Sequence, residues 1–176
     1  MKNTMAIALL ALSTMALPAF ADDVKSTGCD SFKWDVSREL AVLATKPIAI
    51  HAGDGKAGAT PKLKADTRYT VRLHPQHAVA LAVPAGKKRS SDGAQAGLLE
   101  FRAPSEGRYT VSLSTGHWID VVDGGTAIKS LRFQGHLNCA VVHKIVEFQL
   151  PAGHDLTLQL SGADANDVVV AITGPL

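Results

Sequence analysis

The chain has 176 residues, with 18 Lys and Arg against 16 Asp and Glu and only 5% aromatic side chains. So even a balance argues against the clustered basic face of a nucleic-acid binder. The few aromatics argue against a base- or sugar-stacking surface, and the length is enough to bury a core without metal or several disulfides.

Met1 to Ala21 has the anatomy of a secretory signal peptide. Lys2 gives the positive start, Met5 to Leu17 an uncharged apolar run, and Ala19-Phe20-Ala21 a small-x-small cleavage site. The run is shorter than the ~20 residues a membrane-spanning helix needs, and no later stretch is apolar enough to span. Cleavage after Ala21 leaves a near-neutral chain of one domain's length. The reading is a soluble periplasmic or secreted protein without a membrane span. Residues 22–46 form an N-terminal arm, and 47–176 a β-sandwich domain.

Cys29 and Cys139 fit that compartment, since an even cysteine count in an exported chain favours a disulfide. A loop of about 100 residues closed this way is worth about 4.7 kcal/mol in the chain-entropy model. The expected role is to pin the arm to the body. A reactive thiol finds no C-x-x-C motif to support it.

Asp30 to Ala44 is the one helical stretch. Asp35 is a candidate cap, Val36, Leu40 and Leu43 share a face, and Lys46-Pro47 ends the helix. Pro47 to His51 starts a short strand. The glycine-rich loop His51 to Pro61 has neither the G-x-G-x-x-G order nor the Lys-Ser/Thr ending of a phosphate loop. It reads as a plain loop. So does Lys87-Lys88-Arg89, set beside Ser90, Ser91 and Gly93.

From Tyr69 onward, alternation of apolar and polar residues predicts strands. Tyr69–Leu73, Val79–Val83, Leu99–Ala103, Tyr109–Leu113, His117–Val122, Ile128–Phe133, Val146–Leu150, Leu156–Leu160 and Val168–Thr173 are punctuated by Gly, Pro and Asp turns. Gly107 to Gly125 reads as a hairpin broken at Thr115-Gly116, with Asp123-Gly124-Gly125 as the next turn. The expected fold is an all-β, antiparallel, jelly-roll-like β-sandwich of about nine strands with one short N-terminal helix. Tyr-Thr-Val-x-Leu recurs at Tyr69 and Tyr109, with His77 and His117 at matching places, as two similar hairpins would show.

FRAPSEGRYTVSLS with WIDVVDGG, and later VEFQLPAGHDLTLQLSGADANDVVVAIT, resemble the strand-turn-strand signature of bacterial pre-peptidase C-terminal (PPC-like) domains. The resemblance spans Gly97 to Thr173. It implies a small jelly-roll-like sandwich with an accessory or binding role beside secreted enzymes and no catalysis of its own. No protease precedes the domain here, and Asp30 to Ala59 has no counterpart in that family. The whole chain is also similar to short periplasmic proteins of proteobacteria, a likeness that implies no mechanism.

The histidines are the place to look for chemistry. His74-Pro75-Gln76-His77 sets two imidazoles across a turn, either as exposed turn residues or as part of a copper or zinc site. His117 with Asp120 suggests half of a 2-His-1-carboxylate iron site. Residues three apart on a strand point to opposite faces, so the pair needs a bend at Gly116. His136, Cys139 and His143 have ligand-like spacing, which the expected disulfide forecloses. Trp118 reads as core or sandwich rim. No G-x-S-x-G, S-x-x-K or H-E-x-x-H motif occurs.

Two functions compete. The leading one is a non-catalytic exported module that binds a small molecule or an envelope protein through His74–His77, Gly116–Trp118 and Asp123–Thr126. The alternative is a small metal-dependent enzyme, such as a non-haem iron oxygenase, using His74, His77, His117 and Asp120. A subunit completing a larger envelope complex is a third reading.

Overall fold

A computed structural model of the chain describes residues 28–29, 31–56, 58–86 and 91–176. The expected leader, Met1 to Ala21, and the run Lys87 to Arg89 lie outside the described residues. Helix α1 spans Ser37–Leu43. The strands are β1 Ile48–His51, β2 Lys62–Leu63, β3 Arg68–Arg72, β4 His74–Pro75, β5 Gln95–Arg102 and β6 Gly107–Leu113. They continue with β7 Trp118–Asp123, β8 Thr126–Ile128, β9 Ser130–Gly135, β10 Lys144–Leu150, β11 Asp155–Ala163 and β12 Asp167–Thr173.

One sheet runs β1-β3-β12-β6-β10-β9, the other β2-β5-β11-β7-β8 with β4 also on β5. The fold is an all-β sandwich, as the alternation requires. Tyr109, Val111 and Leu113 of β6 point inward beside Val146 and Phe148 of β10 and Val170 and Ile172 of β12. Leu156, Leu158 and Leu160 of β11 face them from the other sheet, fully buried. Each buried leucine contributes about 2 kcal/mol of hydrophobic transfer energy.

Four expectations are corrected. The described residues form twelve strands rather than nine, because β2 and β4 are two residues each and Ile128–Phe133 is split at Lys129. The sheets are mixed rather than purely antiparallel, since β1 pairs parallel with β3 and β2 with β5. Val79–Val83 is not a strand. It follows a short 3-10 turn at Gln76–Ala78 and lies over β11, where the Gln159 side chain replaces a neighbouring strand. Gln159 accepts from the Val83 N–H at 3.2 Å and donates to the Val83 carbonyl at 3.1 Å.

The fourth correction concerns Gly107 to Gly125. β6 belongs to one sheet and β7 to the other, so Ser114–His117 is an arch across the sandwich rather than a hairpin turn. Four residues bridge the ~10 Å between packed sheets, and the arch leaves both Leu113 and Ile119 inside. The true hairpin is β7–β8, in which Asp123 pairs with Thr126. There Gly124 and Gly125 take φ of 53° and 83°, a conformation that costs glycine little. The Tyr-Thr-Val-x-Leu repeat also finds its meaning here. β3 leads to β4, and β6 to β7, each by crossing from the first sheet to the second.

The arm packs on the outer face of the first sheet. Cys29 and Cys139 are joined, with Cα atoms 4.6 Å apart and a sequence separation of 110. Around them Val36, Val42, Leu43, Val142, Ile145 and Ala171 make a second apolar cluster. Val36, the residue just before helix α1, supplies no side-chain cap. Asp35 lies one residue earlier and accepts the Ser37 N–H at 2.9 Å. That bond holds the Asp35 carboxyl below the usual carboxylate range. Glu39, Val42 and Leu43 are the buried helix positions, and Leu40 is half-buried.

Candidate binding surface

The two sheets leave one side of the sandwich open. β8 pairs only with Val121–Asp123, so Trp118, Ile119 and Asp120 carry no β8 neighbour. On the facing sheet β9 is the last strand. Between these edges runs a groove of about 90 Å³, lined by Trp118, Ile119, Ser130, Phe133, Lys144 and Val146. Phe133 pairs with Val146 across β9 and β10 but has no cover, and is 70% exposed. Trp118 is 37% exposed.

Lys144 is the one acidic or basic residue among the described residues lining the groove. Its ammonium donates to the His117 carbonyl at 2.8 Å and lies 5.8 Å from the centre of the Trp118 ring. The Trp118 indole N–H donates to Asp120 at 2.8 Å, and Gln159 donates to the other Asp120 oxygen at 3.1 Å. Both Asp120 and Gln159 sit on the outer face, because Ile119, Val121, Leu158 and Leu160 take the inner one.

His117 is fully buried at the foot of the arch. Its Nδ1 is 2.7 Å from the Thr115 hydroxyl, and Nε2 has no hydrogen-bond partner of good geometry. Burial lowers its pKa from 6.5 to about 4; the Ala163 carbonyl and Asp164 oppose this and the Lys144 charge adds to it. The ring is therefore neutral at neutral pH.

The expected site residues are dispersed. His74 sits on β4, at the far edge of the second sheet from β8, and its Nε2 is 2.8 Å from the Ala52 carbonyl. β5 and β11 lie between β4 and β7, about 14 Å at the usual strand spacing. His77 is an exposed residue of the 3-10 turn. Asp123 holds His154 at 2.8 Å beside the β7–β8 turn. Among the described residues no three His, Cys, Asp or Glu side chains are grouped to hold a metal ion. His74, His77 and His117 thus do not form the shared centre considered for copper, zinc or iron. Cys139 is in the disulfide, so it is not a ligand beside His136 and His143.

Of the three expected contact loops, Gly116–Trp118 borders the groove. Phe133 and Lys144, the residues that complete it, carry no motif. Alternation marks Phe133 as one face of a strand, and nothing in the sequence shows that this strand ends a sheet.

No family model matches the chain, and no curated protein matches it. Among solved structures it is similar to a β-glucosidase from Kluyveromyces marxianus in complex with glucose, at 10% identity and a TM-score of 0.31. That likeness covers 47% of this chain and 10% of the other.

Proposed function

We propose that the chain is a non-catalytic binding module whose ligand seats in the groove between β7 and β9. The observation that carries this is Phe133, an apolar ring left 70% exposed where its strand neighbour Val146 is buried. Phe133 does not stand alone: it lines one groove with the partly exposed Trp118, and apolar exposure gathered in one place marks an interaction surface. A rigid scaffold surrounds it. The PPC-like resemblance points the same way, toward an accessory role. Export over Met1 to Ala21 is part of the proposal, supported by the Cys29–Cys139 bridge, since disulfides persist in oxidising compartments.

The test uses 8-anilinonaphthalene-1-sulfonate, a dye whose aromatic rings suit an apolar groove. Saturable one-to-one binding, weakened at least tenfold by Phe133→Ser at unchanged melting temperature, is the expected result. Equal binding by the variant would remove the groove from consideration. Stoichiometric iron, copper or zinc in the purified protein, lost in His117→Ala, would replace this reading with the metalloenzyme one.

A further inference from the structure

Resting on the groove as the binding surface, we infer that the arch Ser114–His117 is an acid-opened gate on it. A proton taken up from solvent by the buried His117 ring swings the arch out from between the sheets, and Trp118 leaves the groove wall with it.

The ring sits where a positive charge is poorly solvated. His117 is fully buried. Its Nδ1 is engaged by the Thr115 hydroxyl of the same arch at 2.7 Å, and Nε2 is sealed from water with no partner of good geometry. An imidazolium needs acceptors at both nitrogens. Charged groups from two other elements face the ring. Lys144 at the start of β10 opposes a second positive charge, and Asp164, after β11, favours it while accepting the Ser91 hydroxyl at 2.7 Å. His143, the residue before β10, faces the arch at Gly116, where a Cβ would stand 3.5 Å from its Nε2. Burial outweighs Asp164 and the Ala163 carbonyl together, so the closed arch keeps the ring neutral.

The arch is built to move separately from the sheets. It is fastened where it leaves β6, by the Ser114 N–H on the Val169 carbonyl at 3.1 Å. Thr115 and Gly116 are irregular and half-buried, and the Lys144 ammonium holds the His117 carbonyl at 2.8 Å. Trp118 pairs with Ser161 at the very end of the β7–β11 register. Swinging out therefore breaks no pairing in the interior of either sheet, and segments of this kind open at free energies below that of global unfolding. The groove feels the opening at once, because Trp118 and Lys144 both line it.

Linkage sets the size of the shift. The ring titrates at about 4 in the closed arch and at its ordinary 6.5 once hydrated in the open one. The open arch thus holds more protons between these values, and acid favours it. Moving from pH 7.5 to pH 5 raises the opening equilibrium about 30-fold. A ligand that needs Trp118 in place binds the closed arch alone and opposes that shift by the same linkage.

The test is amide hydrogen exchange of the unmodified protein at pH 7.5 and pH 5, corrected for the intrinsic rate at each pH. Protection of the Ser114 amide is expected to fall about 30-fold between the two. Ser114 should exchange faster than Val111 and Leu158 in the core and, unlike them, show no response to low urea. His117→Gln should hold Ser114 within about threefold across the same range, while His143→Gln keeps the full fall. A Ser114 amide that follows the core in rate and urea response overturns the gate, because the arch then opens only with the whole fold. So does protection that is level with pH, a fall that survives His117→Gln, or one that His143→Gln removes. The naphthalenesulfonate dye separates gate from groove. At ten times its dissociation constant it should slow Ser114 exchange at pH 5 about tenfold. Binding without slowing leaves the surface standing and overturns the gate; no binding removes the surface, and the gate with it, whatever the arch does in acid.

Discussion

Arg132 on β9 and Glu147 on β10 are directly paired residues, and the guanidinium reaches the Glu147 carboxylate through two nitrogens, at 2.7 and 3.0 Å. The same guanidinium lies 4.3 Å from the centre of the Trp34 ring. Glu147 is 2% exposed, and its other oxygen is 3.6 Å from Arg108. A buried carboxylate with its donors removed costs several kcal/mol. Arg132→Ala therefore lowers stability by about 2 kcal/mol, less than for a fully enclosed pair because the arginine is half exposed. Arg132→Lys recovers only part of this, having neither the fork nor the flat face that covers Trp34. Urea unfolding of the two variants and of Glu147→Gln checks the ranking; a neutral Arg132→Ala would show that Arg108 alone satisfies the carboxylate.

The disulfide holds a second core in place. Breaking Cys29–Cys139 removes a constraint spanning 110 residues, worth about 3–4 kcal/mol by loop-closure entropy with some discount for native strain. The loss concentrates in the arm, because Val36, Val42 and Leu43 reach the sheet through the cluster that the bridge seals. Cys29→Ser with Cys139→Ser is expected to speed amide hydrogen exchange in α1 far more than in β6, β10 or β12. Uniform acceleration across both sheets would show that the arm and sandwich unfold as one unit.

What was legible in the sequence was the face of each strand. Tyr109, Val111, Leu113, Leu156, Leu158 and Leu160 all point inward as the period of two requires. Pairing was not legible, since alternation is the same whether the next strand continues in one sheet or crosses to the other. That is why Ser114–His117 reads as a turn and is an arch. Val79–Val83 alternates like a strand but meets the Gln159 amide, a partner set by a residue far along the chain. The buried carboxylates were invisible for the same reason. Glu39 gains its donors from Thr110 at 2.6 Å and Thr173 at 3.1 Å, on two different strands. Of the binding surface, Trp118 was legible and Phe133 was not, because a sequence does not state which strand ends a sheet.

His117 sets a pH dependence. Its folded-state pKa is about 4 against an ordinary 6.5. Between those values the unfolded chain carries a proton that the folded chain does not, so stability rises with pH across the window. The contribution is fully present above the unfolded value and is lost as pH falls toward about 4. The full swing is on the order of 3 kcal/mol. Urea midpoints at pH 7 and pH 4 should therefore fall further for the unmodified protein than for His117→Gln. Parallel pH profiles for the two would show that the ring is hydrated when folded.

Gly86 and Trp118 are coupled by contact. A Cβ on Gly86 would lie 2.1 Å from the indole nitrogen and 2.6 Å from the adjoining ring carbon. No side chain fits there unless the ring moves. Gly86→Ala thus displaces Trp118, breaks its bond to Asp120 and alters the groove wall at once. The expected cost is about 1–2 kcal/mol, the range for overpacking at a well-fitted contact, with a shifted indole N–H resonance and weaker dye binding. A double-mutant cycle isolates the cause. In a Trp118→Ala background the three ring atoms nearest the added methyl are gone, so the penalty should vanish there. If it persists, the strain lies in the backbone of the loop over β11, and the indole is a bystander.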